Sequence, residues 1–325
     1  MKWLLLAATT ICLPSCFLFQ QDGHDEALRA ILEKRQEQAT EAIDQQDYQK
    51  AVALFDEILA SEPNNVPALI GLGGAQTALG HWDEAEPAYA KAATLEPQSF
   101  DAQFGHGFAL EMLDRFIEAL AAYHRALVID PMSGTAALGV GTSYLQLDEP
   151  EHALPFAQRA VELAPEDARS WTCLGAALEQ TGADEQALEA YLAASERMSA
   201  SPEIKQNLLH AYARVGKHLQ VVGTARSILA ESDDAGAAER MGWAYFRLGR
   251  YDESADAYRL AVRIDPQMWR AWNGIGVTAL NRWLISDQVD DIARREAVQA
   301  FLMSMRINPD QQKVAALLER YQLNG

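Results

Sequence analysis

One interval constrains this chain more than any other feature: its glycine pairs return every 34 residues. The segments GLGGAQTALG, GHGFALEMLD and GVGTSYLQLD begin at Gly71, Gly105 and Gly139. The first segment is not a nucleotide-binding loop, because Gln76 replaces the third glycine of the dinucleotide pattern and Gly80 is not followed by Lys-Ser or Lys-Thr. A cofactor loop occurs once in a domain, whereas a glycine pair that recurs at a fixed interval in this range indicates stacked structural repeats.

Each repeat is predicted to form two helices. The same offset aligns three further residue types, namely Ala85, Ala119, Ala153 and Ala187, then Tyr89, Tyr123 and Tyr191, and finally Pro63, Pro97, Pro131 and Pro165. Within residues 66–79 the apolar side chains recur every three or four places, which is helical periodicity. Gly80 can end this helix in the left-handed conformation, and Pro97 closes the helix that follows. We therefore expect an all-α fold in which Gly73 on the first helix and Ala85 on the second face each other and permit close helix packing.

The register of small residues, tyrosines and closing prolines resembles that of the tetratricopeptide repeat family. The resemblance implies an all-α, right-handed α-solenoid of about eight helix-turn-helix units with a C-terminal capping helix. The solenoid is placed over residues 22–311 and the cap over 312–325, with units near residues 32–65, 66–99, 100–133, 134–167, 168–201, 202–234, 235–268 and 269–311. Ser199 and Asp233 replace the closing proline in units 5 and 6, and about nine extra residues occupy 283–291 in unit 8. We expect one continuous solenoid whose weakest joint is at units 5 to 7.

Residues 1–21 differ from the repeats and are predicted to form an export signal with a short linker. Their apolar run, residues 4–13, is too short for an ordinary membrane span. The segment LPSC resembles the lipidation box of bacterial lipoproteins, which implies that Cys16 becomes the lipidated first residue and that the membrane is contacted only through this anchor. A secretion signal cleaved elsewhere and an uncleaved anchor reaching Phe19 are the alternatives. If Cys16 is lipidated, Cys173 is the only other thiol, so no intramolecular disulfide supports the fold.

The balance of charge and the residue patterns exclude several classes of function. With 27 Lys and Arg against 46 Asp and Glu, the formal net charge of −19 disfavours nucleic acid as a partner. The seven histidines include no H-E-x-x-H pair, no G-x-S-x-G elbow is present, and the two cysteines that would remain after signal processing cannot build a cysteine-rich zinc site. We therefore predict that the protein is not an enzyme and has no catalytic residue, metal site or cofactor.

The family resemblance also implies that the first helices line a groove that binds peptide segments. In units 2 to 5 the matching positions are small or apolar and include Phe104 and Phe108. In units 6 to 8 they are basic, amide-bearing or aromatic: Asn207, His210, Arg214, Arg240, Trp243, Arg247, Arg270, Asn273 and Asn281. Because arginine grips carboxylates and anchors interfaces, we predict a peptide partner with acidic or carboxylate groups. The alternative is that the arginines are solvated or paired with acids such as Glu239. The family's carboxylate clamp does not carry over, since its positions hold Gln36, Thr40 and Gly71.

These features together predict a non-catalytic protein-interaction scaffold in the bacterial cell envelope. The lipidation box implies an exported, lipid-anchored protein that faces the periplasm. The alternative is a recruiting subunit of an envelope biogenesis system such as Flp/Tad pilus assembly, secretion or polysaccharide export. The segment DPQMWRAWNGIGVTALNRW, residues 265–283, resembles the repeats of Flp pilus assembly lipoproteins.

Overall fold

The computed structural model describes residues 15–199 and 201–323, with side chains from residue 29 onward. This part of the chain contains seventeen α-helices and no β-strand. In chain order the helices are α1 (Ser15–Asp44), α2 (Tyr48–Ser61), α3 (Val66–Leu79), α4 (Trp82–Leu95), α5 (Phe100–Met112), α6 (Phe116–Ile129), α7 (Gly134–Gln146), α8 (Pro150–Leu163), α9 (Ala168–Gln180), α10 (Asp184–Arg197), α11 (Pro202–Arg214), α12 (His218–Leu229), α13 (Ala235–Arg247), α14 (Tyr251–Ile264), α15 (Trp269–Ile285), α16 (Asp291–Ile307) and α17 (Gln312–Arg320).

Most of the predicted export signal, residues 1–14, lies outside the described residues. The backbone of Cys16 is part of α1, but its side chain lies outside the described part of the structure. None of the described helices combines the length and the apolar character that a bilayer-spanning helix requires.

The helices follow one another as eight consecutive pairs with short connections, and α17 comes last. The first helices of repeats 2 to 8 begin at residues 66, 100, 134, 168, 202, 235 and 269. The prediction of an all-α fold of about eight helix pairs with a C-terminal capping helix is therefore confirmed.

Short polar residues explain where the helices begin and end. Asn65, Ser99 and Asp167 each accept a hydrogen bond from a backbone N–H two or three residues further on, which caps the start of a first helix. Gly80 ends α3 in the left-handed conformation with φ at +76°. Asp114 takes the same role after α5 with φ at +57°, a conformation that aspartate tolerates better than most residues.

The described chain forms two compact bodies. The N-terminal body ends at Ser143 and the C-terminal body begins at Tyr144, so the boundary falls inside α7. In the C-terminal body one apolar cluster contains Tyr191 and Leu208, and the next contains Leu209 and Tyr245. Helix α11 contributes to both clusters, so repeats 5 to 7 share packed apolar contacts although repeats 5 and 6 lack the closing proline.

Tyrosine rings occupy the space that the recurring glycines leave open. A Cβ atom built on Gly73 would lie 2.7 Å from the ring of Tyr89, and one built on Gly105 of the next repeat would strike the same ring from the other side. Tyr123 lies in the same way between Gly107 and Gly139. The G-x-G pair therefore accommodates two rings, one from the preceding repeat and one from its own. The predicted close packing is present, but the glycine makes room for a ring rather than for an alanine.

The extra residues of repeat 8 lengthen its helices and its turn. Helices α15 and α16 have 17 residues each, against 14 or fewer in the helices of repeats 2 to 7. Helix α17 buries Val314 and Leu318 in the same apolar cluster as Trp283 and Phe301 of repeat 8. The last helix thus covers apolar side chains of the final repeat, as capping helices of repeat arrays do.

Candidate peptide-binding cleft

A cleft of about 430 Å³ opens in the C-terminal body along the first helices of repeats 5 to 8. Helices α9, α11, α13 and α15 supply its lining, which consists of Glu179, His210, Ala213, Arg214, Glu239, Arg240, Trp243 and Arg270. The cleft therefore brings together five of the predicted groove residues, namely His210, Arg214, Arg240, Trp243 and Arg270. Its size falls in the range of ordinary ligand pockets.

The arginine of α13 is held by a histidine rather than by an acid. Arg240 Nη2 lies 2.7 Å from His210 Nε2. Since a guanidinium can only donate, Nε2 must be the accepting nitrogen of a neutral imidazole. Burial lowers the pKa of His210, and the positive charge of Arg240 lowers it further. This contact orients Arg240 and leaves its charge uncompensated.

Arg214 is already compensated, unlike Arg240. Its Nε donates to Asp184 Oδ1 at 2.7 Å and lies 4.0 Å from Glu179 Oε1. Its side chain is 45 % exposed, so the ion pair with Asp184 contributes about 1 kcal/mol or less to stability. The paired alternative therefore holds for Arg214, with an acid from α10 as partner instead of Glu239.

Two cations of the cleft have no carboxylate partner. In the part of the chain that the structure describes, no ion pair within 4.0 Å involves Arg240 or Arg270. Glu239 also lines the cleft, and burial raises its pKa while the charges of Arg240 and Arg270 act in the opposite direction. The wall formed by α13 and α15 can therefore offer guanidinium donors to an incoming anion.

Trp243 is positioned by contacts with the ring of His218 and the guanidinium group of Arg247. The ring of His218 packs edge-on against it with centroids 4.9 Å apart. The Arg247 guanidinium carbon lies 5.7 Å from the Trp243 ring centre, a cation–π contact, and Arg247 is exposed outside the cleft lining. The indole thus provides a fixed apolar surface beside the arginines.

The other predicted residues do not line this cleft. Asn207 is half-buried on α11 and does not line the cleft, and Asn273 donates through its amide to Gln311 Oε1 at 2.6 Å. Phe104 and Phe108 belong to the N-terminal body and are half-buried. Phe104 stacks on Phe100 with centroids 5.6 Å apart, and Phe108 meets Trp82 edge-on at 5.8 Å, so both are packed in aromatic pairs.

Sequence reasoning missed the acidic members of the site. Glu179 lines the cleft, and Asp184 compensates Arg214, yet neither was distinguished from other acidic residues near helix ends. The repeat interval offered a signal for Glu179, because this residue lies two intervals after Glu111. In the structure both carboxylates accept a hydrogen bond from the tyrosine hydroxyl of their own repeat. Within residues 15–199 and 201–323 no cluster of three potential metal ligands occurs.

The helix pairs, the ring-and-glycine packing and the cleft along the first helices define a helical-repeat protein with a candidate binding cleft on its first helices. Models of the tetratricopeptide repeat match residues 42–104, 75–134, 138–202 and 235–268, together more than half of the chain. The chain therefore belongs to the tetratricopeptide repeat family.

Relatives and solved structures share this fold. The "small glutamine-rich tetratricopeptide repeat-containing protein 2" of Mycosarcoma maydis is 35 % identical over 81 residues, which are 25 % of this chain and 23 % of that protein. The chain thus spans less than a quarter of this relative's length. A tetratricopeptide repeat protein from Parabacteroides merdae has a TM-score of 0.54 at 17 % identity, over 76 % of this chain and 98 % of that one. The APC/C hetero-tetramer Cut9-Hcn1 gives the same score and identity over 84 % of this chain and 52 % of that one.

Proposed function

We propose that the protein is a non-catalytic scaffold that binds an acidic peptide segment in the cleft of its C-terminal body. Tetratricopeptide repeat proteins bind protein or peptide partners and are generally non-catalytic, which supports this class of function. The observation that carries the proposal is the placement of Arg240 and Arg270 beside Trp243 without a carboxylate partner in the described chain.

The chemistry of the cleft supports this ligand class. Arg240 is partly buried and already oriented by His210, so it can bind a carboxylate through two parallel hydrogen bonds at little cost in side-chain entropy. Arg270 is exposed and adds a second cation at the mouth. Trp243 offers its ring to an apolar side chain next to the acidic group, and tryptophan and arginine are frequent anchors of interfaces.

A titration with defined peptides tests this function. The probe is a fluorescent peptide with two glutamates beside a leucine, and its control is the same peptide with glutamines. We expect the acidic peptide to bind wild type more tightly, and Arg240→Ala to weaken binding about tenfold or more because the partly buried donor is lost. Arg270→Ala should have a smaller effect, since an exposed charge is screened by solvent.

The control variant is Arg263→Ala/Arg306→Ala, which removes two exposed arginines outside the cleft lining. Its net charge equals that of Arg240→Ala/Arg270→Ala, so general attraction to the protein changes equally in both. Equal affinities of the two double variants would refute the cleft as the binding site. That result would favour the alternative that the arginines of the cleft are solvated surface residues.

The same proposal places the scaffold in the bacterial cell envelope, anchored by a lipidated Cys16 and facing the periplasm. The LPSC segment supports this location. The resemblance of residues 265–283 to Flp pilus assembly lipoproteins supports recruitment within an envelope system such as Flp/Tad pilus assembly, in preference to secretion or polysaccharide export. Loss of pili in a deletion strain, restored by wild type and not by Arg240→Ala/Arg270→Ala, is the expected result. Normal piliation without the protein would contradict this role.

A further inference from the structure

The turn between α15 and α16 exposes three apolar side chains within eight residues. Ile285, Val289 and Ile292 are 66 %, 78 % and 70 % exposed. We call residues 285–292 the repeat-8 turn. It overlaps the segment by which repeat 8 exceeds the other repeats, and insertions in repeat proteins commonly lie on a binding face.

Hydrogen bonds within the repeat-8 turn hold it in one conformation. Ser286 Oγ donates to the carbonyl oxygen of Trp283 at 2.8 Å and accepts from the Asp290 N–H at 3.1 Å. Asp290 Oδ1 then caps α16 by accepting from the N–H groups of Ile292 and Ala293 at 3.1 and 2.9 Å. The apolar side chains are thus presented on an ordered turn, and a partner would pay little entropy to order it.

Ion pairs fix the base of this turn to its neighbours. Arg282 Nε lies 3.3 Å from Asp290 Oδ2, and Arg282 Nη2 lies 2.9 Å from Glu296 Oε2. Glu296 Oε1 in turn accepts from Arg259 of α14 at 2.5 Å. A network of ion pairs therefore links the repeat-8 turn to α15, to α16 and to α14 of the preceding repeat.

Two carboxylates beside the apolar side chains have no cationic partner. Asp287 and Asp291 are exposed, and in the described chain neither side chain forms an ion pair within 4.0 Å. The first two cations along α16 are engaged elsewhere: Arg294 Nη2 donates to the backbone oxygen of Gln322 at 3.0 Å, and Arg295 Nε donates to the backbone oxygen of Asp291 rather than to its carboxylate. The surface of the turn therefore combines exposed apolar area with uncompensated negative charge.

We propose that the repeat-8 turn docks a helix of a protein partner that carries an apolar seam flanked by lysine or arginine. The seam would cover Ile285, Val289 and Ile292, and the flanking cations would face Asp287 and Asp291. The carboxylates favour this occupant over a lipid surface, because anionic membranes repel exposed acidic groups. This site is separate from the cleft and does not depend on the function proposed for it.

The test uses a fluorescent amphipathic peptide with leucines at helical spacing and lysines beside them, titrated into the full chain. A serine–lysine peptide of equal charge is the reference. We expect the leucine peptide to bind more tightly, and Val289→Ser/Ile292→Ser to weaken its binding about tenfold. Asp287→Asn/Asp291→Asn should weaken binding and reduce its dependence on salt.

Matched variants separate specific docking from general attraction to an acidic chain. Ile117→Ser/Val128→Ser removes two side chains of similar exposure, 73 % and 78 %, from α6. Glu185→Gln/Glu189→Gln removes two exposed carboxylates four residues apart on α10. Both controls should bind like wild type. Equal weakening by control and test variants would overturn the proposal, as would loss of binding to anionic vesicles, rather than to the peptide, in Val289→Ser/Ile292→Ser.

Discussion

If tyrosine rings determine the packing, alanine at Gly73 and alanine at Gly74, its neighbour on α3, should change the free energy of unfolding in opposite directions. A Cβ on Gly73 would lie 2.7 to 2.8 Å from three atoms of the Tyr89 ring, whereas one on Gly74 meets only the Tyr89 hydroxyl at 3.5 Å. Alanine gains about 0.5–1 kcal/mol of helix propensity at either position. At Gly73 overpacking costs about 1–3 kcal/mol, because Gly105 closes the other side of the ring.

We therefore expect Gly73→Ala to lower the free energy of unfolding by about 0.5–2 kcal/mol and Gly74→Ala to raise it by up to about 1 kcal/mol. Urea unfolding followed by circular dichroism measures the shift, and hydrogen exchange of α3 and α4 localises it, since repeat arrays need not unfold in one step. In a Tyr89→Ala background the penalty at Gly73 should disappear. Shifts of the same sign for both variants in the wild-type background would refute the ring-and-glycine packing.

Two further predictions concern pH and the N-terminal segment. Burial, reinforced by Arg240, lowers the pKa of His210, so its contribution to stability is complete above about pH 6.5 and is lost as the pH falls through its lower folded-state pKa. His210→Gln should therefore reduce the loss of unfolding free energy between pH 7.5 and 5.5, and an unchanged loss would contradict the neutral histidine. The intact mass of protein purified from membranes should correspond to a chain that begins at an acylated Cys16, and Cys16→Ser should leave the precursor unprocessed. A different N-terminus without acyl chains would contradict the anchor.

The helical architecture could be predicted from the sequence because it depends on local, periodic information. The repeat interval separates Ala85 from Ala119 and Pro97 from Pro131. The alanines mark where helices pack and the prolines mark where helices end, and neither signal depends on a residue distant in the sequence. The glycines were correctly assigned to architecture. Their contact was not, because the sequence does not show that one ring, such as Tyr89, fits between glycines of two successive repeats.

The pairing of charges in the cleft depends on side-chain direction, which the repeat register does not contain. Arg214 and Arg247 are the last residues of the successive first helices α11 and α13, yet Arg214 meets Asp184 whereas Arg247 lies over the ring of Trp243. Equivalent positions therefore make different contacts because the side chains around them differ, and the register does not contain those neighbours. Asn273 illustrates the same effect, since its amide reaches Gln311 instead of the cleft.

The packing device of the fold also sets the geometry of the cleft. Tyr258 lies between Gly242 of α13 and Gly274 of α15, and a Cβ on Gly242 would lie 2.8 Å from its ring. Arg240 precedes Gly242 by two residues, and Arg270 precedes Gly274 by four, about one helical turn. The ring that joins repeats 7 and 8 therefore fixes the separation of the two helices that present the unpaired arginines. A side chain larger than hydrogen at either glycine would move one helix away from the other and change the spacing of the guanidinium groups without altering any residue that lines the cleft.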